Sequence, residues 1–205
     1  MTIPANASVA TGASIRTLTA REMPLLREHL LRLDPESRRD RFNGAADESF
    51  IEAYAARCLA DGTVVIAYVE DGKVLAAAEL HQPDTSTDGM PEIAFSVERA
   101  VRRKGVGTVL FRRLIAEAEG RRYESLRITT GYGNQAMRAL AQKFGAHLTF
   151  RQGESTGTID LTQQKQAEPA KPSDIPVIEA AHEIVRFNRA WWKFLLGMSG
   201  GGRTA

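Results

Sequence analysis

Residues 93–115 read IAFSVERAVRRKGVGTVLFRRLI, and this stretch decides the fold. Glu92 to Val97 alternates in the manner of a strand, with Ile93, Phe95 and Val97 on one face and Glu92, Ala94 and Ser96 on the other. A basic loop follows, then Gly105 and Gly107, then a helical stripe of Val106, Val109, Leu110, Leu114 and Ala118 that ends near Gly120. A helix N-terminus presents amide N–H groups without intrahelical acceptors and a partial positive charge. Glycines let a bulky anion approach such a backbone. Arg99, Arg102, Arg103 and Lys104 add full charges, so the segment from Arg102 to Thr108 reads as a cradle for a phosphate or diphosphate. Two familiar cradles fit worse. Leu110 stands where a dinucleotide fingerprint needs its third glycine, and no Gly-Lys-Ser/Thr tripeptide occurs.

Upstream, Ser14 to Leu18 reads as a first strand, and Thr19 with Glu22 forms a capping box. The box opens a helix carrying Leu25, Leu26, His29, Leu30 and Leu33, which Asp34-Pro35 ends. PESRRDRF then reads as a basic connection, and a second helix runs from about Glu48 to Ala60. Thr63 to Val69, the turn Asp71-Gly72 and Lys73 to His81 form a hairpin. Downstream come a strand at Leu126 to Thr130, a helix from Gly133 to Phe144 and strands at His147 to Arg151 and Thr158 to Thr162. The expected division is a small polar N-terminus over 1–13, a mixed α/β domain over 14–162, a linker over 163–176, an amphipathic helix over 177–197 and a loose tail over 198–205.

The chain has 205 residues, 43% hydrophobic and 25% charged, with a net charge of +2, as an ordinary globular protein does; no global field points to nucleic acid. The single cysteine, Cys58, excludes an intramolecular disulfide and reads as a buried apolar residue. Without a secretory signature at the N-terminus or an apolar run of about 18 residues, a cytoplasmic location is expected.

Arg102-x-x-Gly105-x-Gly107 resembles the acyl-CoA-binding motif of the GNAT superfamily of N-acetyltransferases, and the order of elements over 14–162 is similar as well. The resemblance implies a twisted mixed sheet of about six to seven strands, splayed between the fourth and fifth, with four flanking helices and the appended C-terminal helix. It implies that backbone groups of Phe95, Ser96 and Val97 pair with pantetheine. The amides of Arg102, Arg103, Lys104, Gly105, Val106, Gly107 and Thr108 would hold the pyrophosphate of acetyl-CoA, with no metal involved. Asn134 to Ala146 is similar to the superfamily's later helix, so Asn134 is either a cofactor contact, an N-cap, or both. Where many members carry a tyrosine that protonates the leaving thiolate, this chain has Ala141; Tyr132 is the nearest replacement, water the alternative.

Amine acylation requires a base for the ammonium proton. Glu92, whose context resembles that of protein-lysine acetyltransferases, is the first choice, and Glu79 the second. Glu79 shares a face with His81, and burial would raise its pKa and improve it as a base. The segment Leu33 to Phe42 is similar to one in bacterial protein lysine acetyltransferase domains. There Arg38, Arg39 and Arg41 either touch an acidic group of the acceptor or form a solvated turn.

The expected activity is transfer of acetyl from acetyl-CoA to a primary amine, of a protein lysine or a small molecule, by direct attack in a ternary complex. A non-catalytic acyl-CoA sensor and an adaptor are the alternatives. The apolar arc of the C-terminal helix, with Trp191 and Trp192, is expected to dock on the domain or on a second subunit as a homodimer, with a membrane surface as the rival.

Overall fold

The computed structural model describes residues 12–83, 89–131, 133–151 and 153–162. The C-terminal helix expected over 177–197, its linker, the polar N-terminus and Tyr132 lie outside the described residues.

The hairpin organises the first half of the sheet. β2 (Val64–Glu70) and β3 (Lys73–Leu80) pair antiparallel across Asp71 and Gly72, whose φ values of 49° and 74° suit a two-residue turn of matching twist. β1 (Ser14–Thr17) adds to β2, and β4 (Glu92–Val97) adds to β3, both antiparallel. β4 meets β5 (Ser125–Gly131) in the one parallel pairing, and β7 (Glu154–Asp160) and β6 (His147–Arg151) complete the order β1-β2-β3-β4-β5-β7-β6.

Each face of this sheet carries its own apolar layer. α1 (Met23–Arg32) and α3 (Glu48–Ala60) cover one face, packing Leu26, Leu30 and Ile51 on Val65, Ala67 and Ala77. α4 (Val106–Gly120) and α5 (Gln135–Lys143) cover the other, with Leu110, Phe111 and Leu114 against Ile66, Ala78 and Ile128. Phe111 sits at the centre of that layer, stacked on Phe95 at 4.8 Å and on Phe144 at 4.3 Å. Cys58 is buried, and burial pushes its thiol up to about 11, which keeps it inert. Among the described residues no helix is long and apolar enough to cross a membrane.

One expectation is corrected. PESRRDRF is a helix, α2 (Pro35–Phe42), so five α-helices rather than four flank the sheet among the described residues. Asp34 ends one helix and opens the next: its carboxylate accepts the Ser37 N–H at 3.1 Å, Pro35 fills a first-turn position that needs no N–H donor, and Asn43 closes the end at φ 52°. With so little apolar surface, α2 gives a weak periodic signal in sequence. It lies against β4 and β5.

Candidate active site

The cradle forms where β4 runs into α4. Gly105 caps α4 at φ 81°, a conformation strained for any L side chain, and a Cβ built there would meet nothing within 4 Å. The first bond of the helix runs from the Val109 N–H to the Gly105 carbonyl at 3.1 Å. The amides of Val106, Gly107 and Thr108 therefore lack intrahelical acceptors and have no other backbone acceptor among the described residues. Arg103 and Lys104 stand exposed beside them with no hydrogen-bond partner among the described residues.

The other basic side chains are turned elsewhere, which corrects the expectation that all four cluster on the anion. Arg102 donates from Nε to the Val97 carbonyl at 3.0 Å and from Nη2 to the Ser37 hydroxyl, and its own amide donates to the Arg99 carbonyl. Arg99 pairs with Asp34 and Glu36, each at 3.0 Å. These two arginines fasten the loop to the N-terminus of α2.

Strand pairing changes at the same place. β4 stays in register with β3 from Ile93 to Val97, but its parallel pairing with β5 covers only Glu92 opposite Arg127 and Ile93 opposite Ile128. Beyond Ile93 the strands part, and the edge of Ala94 to Val97 that faces β5 has no strand beside it among the described residues. An unpaired strand edge accepts any extended amide-bearing group. The side chains here are already engaged. Phe95 stacks in the core, and the Ser96 hydroxyl meets Nε2 of the fully buried His29 at 2.9 Å. His29 Nδ1 meets Glu98 at 3.0 Å and so ties β4 to α1. Sequence reading had placed His29 only in an apolar stripe; its lone polar ring among leucines was the available signal.

Between the parted strands lies a small cleft, continuous with solvent, whose walls include Asp40, Arg41, Ala94, Thr130, Asn134 and Met137. Two of these residues hold buried polar atoms without a hydrogen-bond partner among the described residues, Nε of Arg41 and Oγ1 of Thr130. Such atoms cost about 1–3 kcal/mol each when left unpaired, so two on one cleft mark a place for a ligand's polar groups. Asn134 caps α5 by accepting the Met137 N–H at 3.0 Å and also lines the cleft.

The candidate bases differ sharply. Glu79 is wholly buried; Arg41 Nη2 donates to it at 2.9 Å and Tyr54 at 2.5 Å, with His81 Nε2 at 3.7 Å. Burial opposes its ionisation, but the Arg41 charge, His81 and these hydrogen bonds prevail and hold its carboxyl below the usual range. This overturns the expectation that burial raises it. Glu79 is a tightly held counter-ion to Arg41. Arg41 is thereby no part of a solvated turn, and neither is Arg38, which donates to the Leu31 and Leu33 carbonyls; Arg39 is exposed. Glu92 is half-buried; its carbonyl accepts the His81 N–H at 2.8 Å, and its carboxylate makes no hydrogen bond or ion pair among the described residues. It shares the Glu79–His81 face, as alternation predicts. Ala141 is fully buried in the core, so α5 supplies no acid at that position.

Sequence reading missed Asp40, which lines the cleft. The signal was helical spacing: once Asp34 and Pro35 are recognised as a helix start, Ser37, Asp40 and Arg41 fall on one face.

Residues 26–146 match the model of the acetyltransferase (GNAT) family. Among solved structures, the GNAT domain of S. lividans PAT is similar at 19% identity with a TM-score of 0.61, over 72% of this chain and 90% of that one. An N-acetyltransferase from Staphylococcus aureus Mu50 matches at 19% identity and a TM-score of 0.55, over 73% of this chain and 99% of that one. The Salmonella typhimurium putative acetyltransferase yncA, solved with its cofactor acetyl-CoA, matches at 18% identity and a TM-score of 0.54, over 80% and 99% of the two chains.

Proposed function

Because the chain belongs to the acetyltransferase (GNAT) family, whose co-substrate is acetyl-CoA, we propose that it transfers acetyl to a primary amine, of a protein lysine or a small molecule, by direct attack in a ternary complex. The thioester supplies an activated acyl carbon; everything else is the work of this chain's residues. The amides of Val106, Gly107 and Thr108, with Arg103, Lys104 and Gly105 before them, receive the diphosphate. The strand edge of Phe95, Ser96 and Val97 pairs with the pantetheine amides, and Asn134 lines the path between. Arg102 serves chiefly by holding the loop to α2.

One observation carries this reading. The parallel pairing stops after Ile93, so the free edge of β4 leads straight into the free amides of α4. Glu92 is the residue proposed to accept the ammonium proton, through a water molecule, because its carboxylate has no partner among the described residues, whereas Glu79 is committed to Arg41. Tyr132 is proposed as the acid for the departing thiolate, with water as the alternative. A cytoplasmic location and a homodimer or membrane contact through the C-terminal helix belong to the same reading, as the apolar arc of 177–197 suggests.

Calorimetry with coenzyme A, followed by thiol release from acetyl-CoA over a panel of amines, tests it. No binding at millimolar coenzyme A by folded protein would end the case. The buried Ala141 favours a second reading, an acyl-CoA sensor without turnover; binding without thiol release from any amine would select it.

A further inference from the structure

The cleft between β4 and β5 has a charge balance that bears on which amines can enter. Arg41 contributes a guanidinium, but Glu79 faces it at 2.9 Å inside the protein and the pair cancels. Asp40 is the one carboxylate among the described residues that line the cleft, and no donor side chain reaches it. Glu92 lies on the neighbouring strand end, opposite Arg127 in register, and burial pushes the His81 pKa down. Among the lining residues Asp40 therefore carries the charge without an ion-pair partner among the described residues, at the wall that α2 contributes. Burial, and then the nearby Glu36, raise the Asp40 pKa against the opposing pull of Arg102 and Arg39, as for a carboxylate short of a cation.

Geometry says which reactant would supply that cation. The parted edges of β4 and β5 form one wall of the cleft and α2 the other. A thioester laid along β4 occupies the strand wall, so the group that approaches from α2 is the acceptor. At neutral pH the acceptor amine arrives as an ammonium ion. The unsatisfied Oγ1 of Thr130 and Nε of Arg41 flank the same space and mark it as built for a polar ligand.

Resting on the acetyl-transfer reading, we propose that Asp40 is the acceptor-recognition residue: its carboxylate ion-pairs with the incoming ammonium and selects amines that carry no carboxylate beside the reacting nitrogen. An α-amino acid would bring its own anion against Asp40 and be rejected, whereas a side-chain amine or a polyamine would be accepted. The ion pair holds the amine until its proton passes to the base; the C–N bond then forms as the C–S bond breaks, and the thiolate is protonated.

The test compares wild type with Asp40→Asn and Asp40→Glu, using acetyl-CoA with Nα-acetyl-lysine methylamide and spermidine as cationic acceptors, and glycine and glutamate as carboxylate-bearing ones. Wild type should favour the first pair. Asp40→Asn should raise KM for the cations on the order of ten- to a hundredfold, as loss of a charge-assisted hydrogen bond does, with a much smaller change in kcat. Its affinity for coenzyme A should stay the same, and Asp40→Glu should recover part of the KM. Thermal melts establish that the variants fold. An unchanged KM in Asp40→Asn, a loss confined to kcat, a wild-type preference for glycine, or failure to use either cation by an enzyme that does use glycine or glutamate would each overturn it. Failure to bind coenzyme A, or binding without thiol release from any of the four acceptors, would instead overturn the reading beneath it, so the two failures are distinguishable.

Discussion

Two polar regions lie on either side of the β4–β5 cleft, and they have opposite characters. On the α3 side, Arg41, Tyr54, Glu79 and His81 form a knot in which Tyr54 gives its hydroxyl hydrogen to Glu79 and contacts His81 at 3.1 Å. At the head of α4, the amides of Val106, Gly107 and Thr108 and the charges of Arg103 and Lys104 face outward without protein acceptors among the described residues. The knot contains the more perturbed groups, with Tyr54 held well above its usual pKa by burial, yet Glu79 is engaged by Arg41 and Tyr54. Perturbed pKa values and free amides thus fall in different regions: the perturbed groups hold one another, whereas the helix head keeps three N–H groups without acceptors among the described residues.

The contrast breaks most visibly at Glu79. Glu79→Ala leaves Arg41 buried and unpaired, and unfolding free energy should fall by about 3–5 kcal/mol in denaturant titration. If the loss were below about 1 kcal/mol, the knot would not be the structural half of the comparison. Gly105→Glu is the converse case. It should leave the melting temperature within a few degrees of wild type but reduce coenzyme A affinity by on the order of a hundredfold, through strain, obstruction and like charge. Calorimetric binding that survives this change would remove the cradle. Glu92→Gln should leave coenzyme A affinity intact and lower turnover by on the order of ten- to a hundredfold, most at pH values well below the pKa of the amine.

Smaller effects sharpen the picture. Asp34→Ala removes the cap of α2 and the partner of Arg99, and should cost about 1 kcal/mol at pH 7. The sign with pH follows from the Asp34 pKa, which the Ser37 hydroxyl and amide hold down at about 2. A depressed carboxyl stabilises the fold above its unfolded pKa of about 4, and that contribution fades as pH falls toward 2. The gap between wild type and Asp34→Ala should narrow over that interval, as chemical denaturation at a series of pH values would show.

How legible the molecule was depends on whether a feature rests on local or distant neighbours. The hairpin, the strand–loop–helix at 92–120 and the cap at Asn134 were readable because each depends on residues within a few positions: a turn pair, a hydrophobic period, a side chain that reaches its own helix. α2 was misread because its eight residues bury little apolar surface, and its support comes from β4 and β5 rather than from its own pattern. The Glu79 pKa was misjudged because burial was inferred without its partner. Arg41 is 38 positions away, and nothing in the strand announces it. Arg99 and Arg102 look like anion ligands when read in line, yet three-dimensional proximity to Asp34, Glu36 and Ser37 turns them away.

By itself, then, the amino-acid order determined the family and, α2 apart, the element sequence, with a strand that runs through a basic glycine loop into a helix start, since backbone conformation at such a start is written in adjacent residues. Tertiary structure alone decided which charges are spent on the protein and which remain for a ligand. Ionisation and hydrogen bonding answer to whatever stands within a few ångströms, and in a folded chain those neighbours come from anywhere along it.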